Sequence, residues 1–307
     1  MLPRAMRALV TGATGFVGPH LVDHLRASGD EVVGLEEGIV EITDPAAVTA
    51  WIERHRPEVV YHLAGWADVG GSWAAPQEAF RVNAEGTLNV LQASLASQCQ
   101  RVLVVSSADV YGIVAEEDLP ITERHPLRPV SPYAVSKVAA DYLGLQAWLG
   151  RNLEVVRVRA FNHLGPGQSD RFVAPAIASR IAANERDGGD EIPIGNLAAR
   201  RDVTDVRDVV RAYRLLVERG MPGDTYNVCS GTDVAVSELA ERMLTMATHP
   251  MRLVVDPERH RPVDVPVLRG DPSKLERATG WKPEIALDTT LADVLNDWRS
   301  RGALATS

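Results

Sequence analysis

The chain has 307 residues, enough for one large domain or two joined ones with a substantial core, and its net charge of −9 excludes the broad basic face that nucleic acids or anionic membranes require. Two cysteines, Cys99 and Cys229, are too few for a disulfide framework and lack metal-ligand spacing; both read as structural thiols in a reducing compartment, and no metal site is expected. No stretch approaches a membrane span and the amino terminus lacks a secretory signal, so the expectation is a cytoplasmic protein without membrane or nucleic-acid partners.

Residues 8–10 open an apolar strand that runs into Thr11-Gly12-Ala13-Thr14-Gly15-Phe16-Val17-Gly18, and helical periodicity follows over 17–27. Glycines permit a tight turn and close backbone approach, while a helix N-terminus offers free N–H groups and a positive dipole end. Gly12, Thr14, Gly15, Phe16, Val17 and Gly18 are therefore candidate contacts to the pyrophosphate of a dinucleotide, although the G-x-x-G-x-x-G spacing is one residue wider than the usual fingerprint. A second strand, 31–35, ends at Glu36. A carboxylate there would hold a ribose 2′-hydroxyl and repel a 2′-phosphate, and no lysine or arginine between Arg26 and Arg54 offsets it, so NAD(H) is favoured and NADP(H) stays open.

Further strands are expected at 59–63, 102–106 and 153–158, and further helices at 76–97 and 132–149. The strand at 102–106 leads into the hydroxyl of Ser107. Ser131 and Pro132 suit a helix cap and first turn, and four residues separate Tyr133 from Lys137, which places both on one helix face. An ammonium so placed favours the phenolate and lowers the tyrosine pKa. The pair reads as acid/base machinery for an alcohol or ketone, with Ser107 polarising the oxygen. Only three of the 32 basic residues are lysines, which makes Lys137 the more informative.

Beyond Phe161 the pattern loosens through Gly165-Pro166-Gly167, a turn at 187–190 and a proline-rich stretch at 257–272, and this reads as a second lobe. Residues 202–229 read as helix then strand, returning to the first sheet. Short apolar strands alternating with helices imply an α/β fold: a doubly wound parallel sheet with a smaller, mostly C-terminal α/β substrate lobe. The expected division is 1–163 plus about 203–232 for the cofactor domain, and about 164–202 and 233–307 for the lobe.

These motifs together resemble the extended short-chain dehydrogenase/reductases, the NAD-dependent epimerase/dehydratase family, over nearly the whole chain. The resemblance implies a Rossmann fold, catalysis by Ser107, Tyr133 and Lys137, and contacts to the cofactor from Tyr133 and Lys137. It adds Leu63, Ala64 and Gly65 of His62-Leu63-Ala64-Gly65 to the cofactor site, and Glu41-Ile42 beside the adenine. The small lobe is similar to that of nucleotide-sugar enzymes, GDP-linked ones above all. By that likeness Asn162 faces the diphosphate, Arg201 and Arg261 clamp it, Asp264 holds the nucleotide ribose, and Val173, Asp109 and Ser107 line the substrate. Asp205 and Asp208 follow Arg200 and Arg201 closely enough to neutralise them instead. Segments 112–137, 162–168 and 226–231 resemble the reductases of GDP-4-keto-6-deoxy-mannose that form GDP-rhamnose. A 4-epimerase, a 4,6-dehydratase with Asp109 in place of the usual glutamate, and a non-catalytic NAD(P)-binding sensor stay open. The likeness also implies a homodimer through a four-helix bundle of the helices at 78–97 and 132–149.

Overall fold

A computed structural model describes residues 5–36, 38–256 and 264–304. Its main sheet holds six parallel strands: β1 (Arg7–Thr11), β2 (Glu31–Leu35), β3 (Val59–His62), β4 (Arg101–Ser107), β5 (Glu154–Ala160) and β9 (Thr225–Val228), in the order β2-β1-β3-β4-β5-β9. Alternation sorts the side chains between two cores. Ala8, Val10, Val59 and Tyr61 face one side with α1 (Val17–Ala27) and α7 (Val206–Arg219), whereas Leu9 and Val60 face the other with α2 (Pro45–His55) and α4 (Gly86–Ala96). This is the doubly wound Rossmann arrangement expected. Strand order reverses at β1: the chain leaves β1 towards α1 on one face and β3 towards α4 on the other, and the crevice between these connections, beyond the carboxyl ends, is where such folds bind ligands.

The helix expected over 76–97 is present and runs without a break to Ala96, as α3 (Pro76–Phe80), a π-helical turn (Arg81–Glu85) and α4. Asn83, at the centre of the π turn, sends its side chain out to the loop after β3, and Gly86 leaves room for Ile42, whose Cδ1 would lie 2.7 Å from any Cβ there. The stretch expected to open with a helix at 202 instead continues a strand to Asp205, and only then does the chain re-enter the first layer through α7 and β9. The helix expected over 132–149 is α5 (Pro132–Arg151), capped by Ser131 Oγ and ended by Asn152 in a left-handed conformation.

The second layer is built on β8 (Arg200–Asp205), which pairs with β6 (Asn162–Leu164), β10 (Asp233–Ala235) and β12 (Val267–Leu268). A parallel pair, β7 (Glu191–Ile194) and β11 (Arg252–Val255), lies apart. Helices α6 (Val173–Asp187), α8 (Val236–Leu244) and α10 (Leu287–Leu304) close a separate apolar core around Ile177, Leu239 and Leu291, while α9 (Ser273–Thr279) packs on the first layer through Leu275. Among the described residues no helix is long and apolar enough to cross a membrane.

Candidate active site

The glycine turn lies at the head of β1, in the crevice. Gly12 has φ +69°, and a Cβ there would come within 2.9 Å of Ala64 N, so only glycine lets the turn lie this close to the loop after β3. Gly18 faces the backbone oxygens of Gly12 and Ala13, at 2.3 and 2.4 Å from a built Cβ, which draws α1 against the turn. Phe16 caps α1 without a side-chain hydrogen bond, and Thr14 and Gly15 are exposed beside it. A cradle that a Cβ would fill, at an uncapped helix N-terminus, fits a pyrophosphate. Glu36 follows β2 within this group, and Leu35 O accepts the Gly12 N–H at 2.9 Å. Glu41 is exposed, whereas Ile42 is buried beneath Gly86 with its carbonyl taken by Asn89 Nδ2.

Beneath the turn runs a buried hydrogen-bond chain. Thr87 donates its hydroxyl proton to Asn83 O at 2.6 Å, so it accepts from His62 Nε2 at 3.0 Å; His62 Nδ1 then accepts from the Thr11 hydroxyl at 2.8 Å, and Thr11 Oγ1 receives the Ala64 N–H at 3.0 Å. Burial, with Lys137 nearby, pulls the His62 pKa down to about 3 and keeps the ring neutral. The Ala64 N–H is committed inside this chain. A Cβ on Gly65, next along, would lie 2.5 Å from Asn83 Oδ1 and 3.4 Å from Lys137 Nζ.

Ser107, Tyr133 and Lys137 converge. Lys137 Nζ donates to Val105 O at 3.0 Å, and Ser106 Oγ donates to Lys137 O at 3.1 Å, locking α5 to the end of β4. The Ser107 hydroxyl reaches the Tyr133 phenol and also accepts the Asp109 N–H at 3.2 Å. Burial alone draws the Lys137 ammonium down to about 8. Burial pushes the Tyr133 phenol far above its usual range, the Asp109 carboxylate adds to this, and Ser107 offsets part of it. That direction is opposite to the one expected from the lysine spacing. In a site closed to water, loss of hydration and the Asp109 carboxylate both destabilise the phenolate, and Lys137, whose Nζ is held by Val105 O, is not among the groups that offset them.

Three residues not singled out from sequence hold this arrangement. Tyr133 N donates to the buried Ser72 Oγ at 3.2 Å, Ser136 Oγ donates to Tyr133 O at 2.7 Å, and Asn83 Nδ2 donates to Ser136 Oγ at 2.8 Å. The other end of Asn83 accepts the Trp66 N–H at 2.9 Å, so the π turn ties the loop after β3 to the first turn of α5.

In the second layer, exposed Asn162 opens β6 and Val173 opens α6. Arg201 Nη2 lies 2.6 Å from Asp264 Oδ1, and Asn196 Nδ2 donates to Asp264 Oδ2 at 2.7 Å. Arg201 and Asp264, expected to meet different parts of a ligand, thus meet each other. Arg200 pairs with Asp233; Asp205 and Asp208 do not neutralise these arginines but pair with Arg207 and Arg211. Arg261 lies outside the described residues.

The profile of the GDP-mannose 4,6 dehydratase family matches residues 38–294. The chain belongs to this family. A GDP-6-deoxy-D-mannose reductase of Pseudomonas aeruginosa is 39% identical over 299 residues, covering 96% of this chain and 98% of its own. The solved structure of RMD from Pseudomonas aeruginosa complexed with NADPH matches with a TM-score of 0.89 at 38% identity, over 97% of this chain and 100% of that one. UDP-glucose 4-epimerase from Thermus thermophilus, solved with NAD, matches with a TM-score of 0.86 at 28% identity, over 96% and 99%. As a GDP-mannose 4,6-dehydratase family member, this chain is a nucleotide-sugar enzyme of the extended short-chain dehydrogenase/reductase type.

Proposed function

We propose that the chain reduces the 4-keto group of GDP-4-keto-6-deoxy-mannose to give GDP-rhamnose. The carrying observation is the Tyr133 phenol, buried beside Ser107 and held protonated, in a chain 39% identical to a GDP-6-deoxy-D-mannose reductase. A proton donor is what a carbonyl oxygen needs as it becomes an alkoxide. When bound, NAD(P)H supplies the hydride. Ser107 donates a hydrogen bond to the carbonyl oxygen, Tyr133 gives it a proton, and Lys137 holds a ribose hydroxyl and keeps positive charge beside the phenol. The glycine turn cradles the pyrophosphate, and Glu36 favours NADH over NADPH. Residues 1–163 with about 203–232 form the cofactor domain, against which α9 also packs, and the remainder the substrate lobe; Asn162, Val173, Arg201, Arg261 and Asp264 meet the GDP moiety.

Partnering follows from the outer face of α5. Val135, Tyr142 and Leu149 are 46%, 55% and 71% exposed and recur every seven residues, with Phe80 and Leu95 exposed on α3 and α4. A heptad stripe of this kind suits a helix seam, and we assign it to a homodimer through a four-helix bundle. Two free buried thiols suit a cytoplasmic location.

The test is to mix the purified protein with GDP-4-keto-6-deoxy-mannose and NADH or NADPH, follow loss of reduced cofactor and identify the sugar. GDP-rhamnose formation that Tyr133→Phe abolishes is the expected result. No turnover by folded, cofactor-binding protein overturns the reading, and conversion of GDP-mannose with NAD instead would point to dehydration through Asp109.

A further inference from the structure

Behind the candidate catalytic residues, α5 carries Asp141, four residues beyond Lys137 and wholly buried. Two arginines of β5 converge on it, Arg157 through Nη1 and Arg159 through Nε at 2.9 Å. Arg159 continues outward: its Nη1 donates to Tyr111 Oη at 3.0 Å, and its Cζ lies 5.1 Å from the Tyr111 ring centroid. Tyr111 donates to Asn227 Oδ1 at 2.7 Å, and Asn227 is fixed in turn by Ile121 O and by Glu123 Oε1, each at 2.8 Å. Tyr111 closes the short 3-10 turn Ala108–Tyr111, which begins at Ser107. An unbroken line of buried polar contacts therefore joins the helix that carries Tyr133 and Lys137 to the turn that carries Ser107.

Burying a carboxylate and two guanidinium groups is costly, and apolar side chains of similar volume commonly hold a fold as well or better. What charged, directional bonds add is a fixed register between the parts they join. Here the parts are the proposed proton donor and the proposed carbonyl-polarising hydroxyl, which must meet the same oxygen from two different segments. Resting on the reductase reading, we propose that Asp141, Arg159 and Tyr111 are positioning residues that set Ser107 against Tyr133. They touch neither substrate nor cofactor. They act by preventing α5 and the 3-10 turn from shifting relative to each other.

Misplacing reacting groups by about 1 Å costs up to about 100-fold in rate. In the full-length protein Tyr111→Phe keeps the ring over Arg159 and removes only the hydroxyl, so it is a milder change than Asp141→Asn, which leaves two buried guanidinium groups short of a counter-charge. The expected result is a 10- to 100-fold lower kcat for GDP-4-keto-6-deoxy-mannose reduction, with KM for substrate and cofactor within about twofold of wild type. The primary isotope effect from cofactor deuterated at the transferred hydrogen should rise, because chemistry becomes slower than product release. Unchanged kcat and isotope effect in Tyr111→Phe, even with a lower Tm, would overturn the inference and leave the line with a folding role only. Absence of turnover by wild type would fall on the reductase reading itself and take the inference with it.

Discussion

His62 offers a test that needs no ligand. Its ring is held neutral between Thr11 and Thr87, with a pKa drawn down to about 3 from 6.5. Between these values the unfolded chain binds a proton at this position and the folded chain does not, so stability is fully present above about 6.5 and is lost as pH falls towards about 3. Each pH unit in that window is worth about 1.4 kcal/mol, so lowering pH from 7.5 to 5.0 removes about 2 kcal/mol attributable to His62. That figure holds for any folded value below about 4. His62→Gln cannot titrate, and at pH 7.5 it should itself cost about 1–3 kcal/mol through the disturbed hydrogen bonds. Urea unfolding of both proteins at the two pH values, followed by tryptophan fluorescence, cancels every other titrating group in the difference of differences. The gap between wild type and variant should narrow, or reverse, by about 2 kcal/mol at pH 5.0. A gap that is the same at both values would mean that the ring is protonated in the folded protein or its chain of bonds is solvated, and would refute a neutral, buried His62.

Lys137, at about 8, loses its charge as pH rises through that value, so reductase activity should fall above it; in Lys137→Arg the limb should disappear from a pH–kcat profile while overall activity drops. Gly18→Ala must displace backbone oxygens 2.3 and 2.4 Å from the new methyl; a loss of about 1–3 kcal/mol in thermal unfolding and at least tenfold weaker NADH binding by fluorescence titration are expected. Arg201→Ala removes the guanidinium proposed to meet the diphosphate, a charge-assisted contact of about 1.5–3 kcal/mol, and also strips Asp264 of its ion pair, so KM for the GDP-sugar should rise roughly 10- to 100-fold with kcat little changed. Tyr142→Glu places a charge in the middle of the exposed heptad stripe, and light scattering should find a monomer where wild type is a dimer.

Much of the site is legible in the sequence because it is local. The glycine turn, the Tyr133 and Lys137 pair and the hydroxyl at the end of β4 each lie within a short stretch whose spacing states its own geometry. Asn83, Ser72 and Ser136 are not, since the contacts that matter cross long stretches of chain and none of the three is unusual in its own neighbourhood. The π turn is hidden for the same reason: it accompanies distant contacts, Asn83 with Trp66 and Gly86 over Ile42, and no proline or glycine run marks it. The direction of the Tyr133 shift is misread from spacing alone, because spacing reports a nearby charge but not the closure of the site to water. The Arg201 and Asp264 pairing likewise follows from how β8 approaches the segment before β12.

The edge position of β9 has a consequence for how the molecule is made. Arg157 of β5 pairs with Thr225 of β9, and in between the chain must emit β6 to β8, α6 and α7. At a synthesis rate of roughly 5–20 residues per second, the ribosome needs about 3–14 s to travel from Ala160 to Val228. For that interval β5 is an open strand edge, the kind of surface on which nascent chains pair wrongly. Arg157 and Arg159 put two positive charges on it. Asp141, made earlier on α5, offsets only one of these two charges, so the arginines can still guard the unfinished sheet, and a neutral replacement should lower the yield of native protein in cells more than its equilibrium stability accounts for.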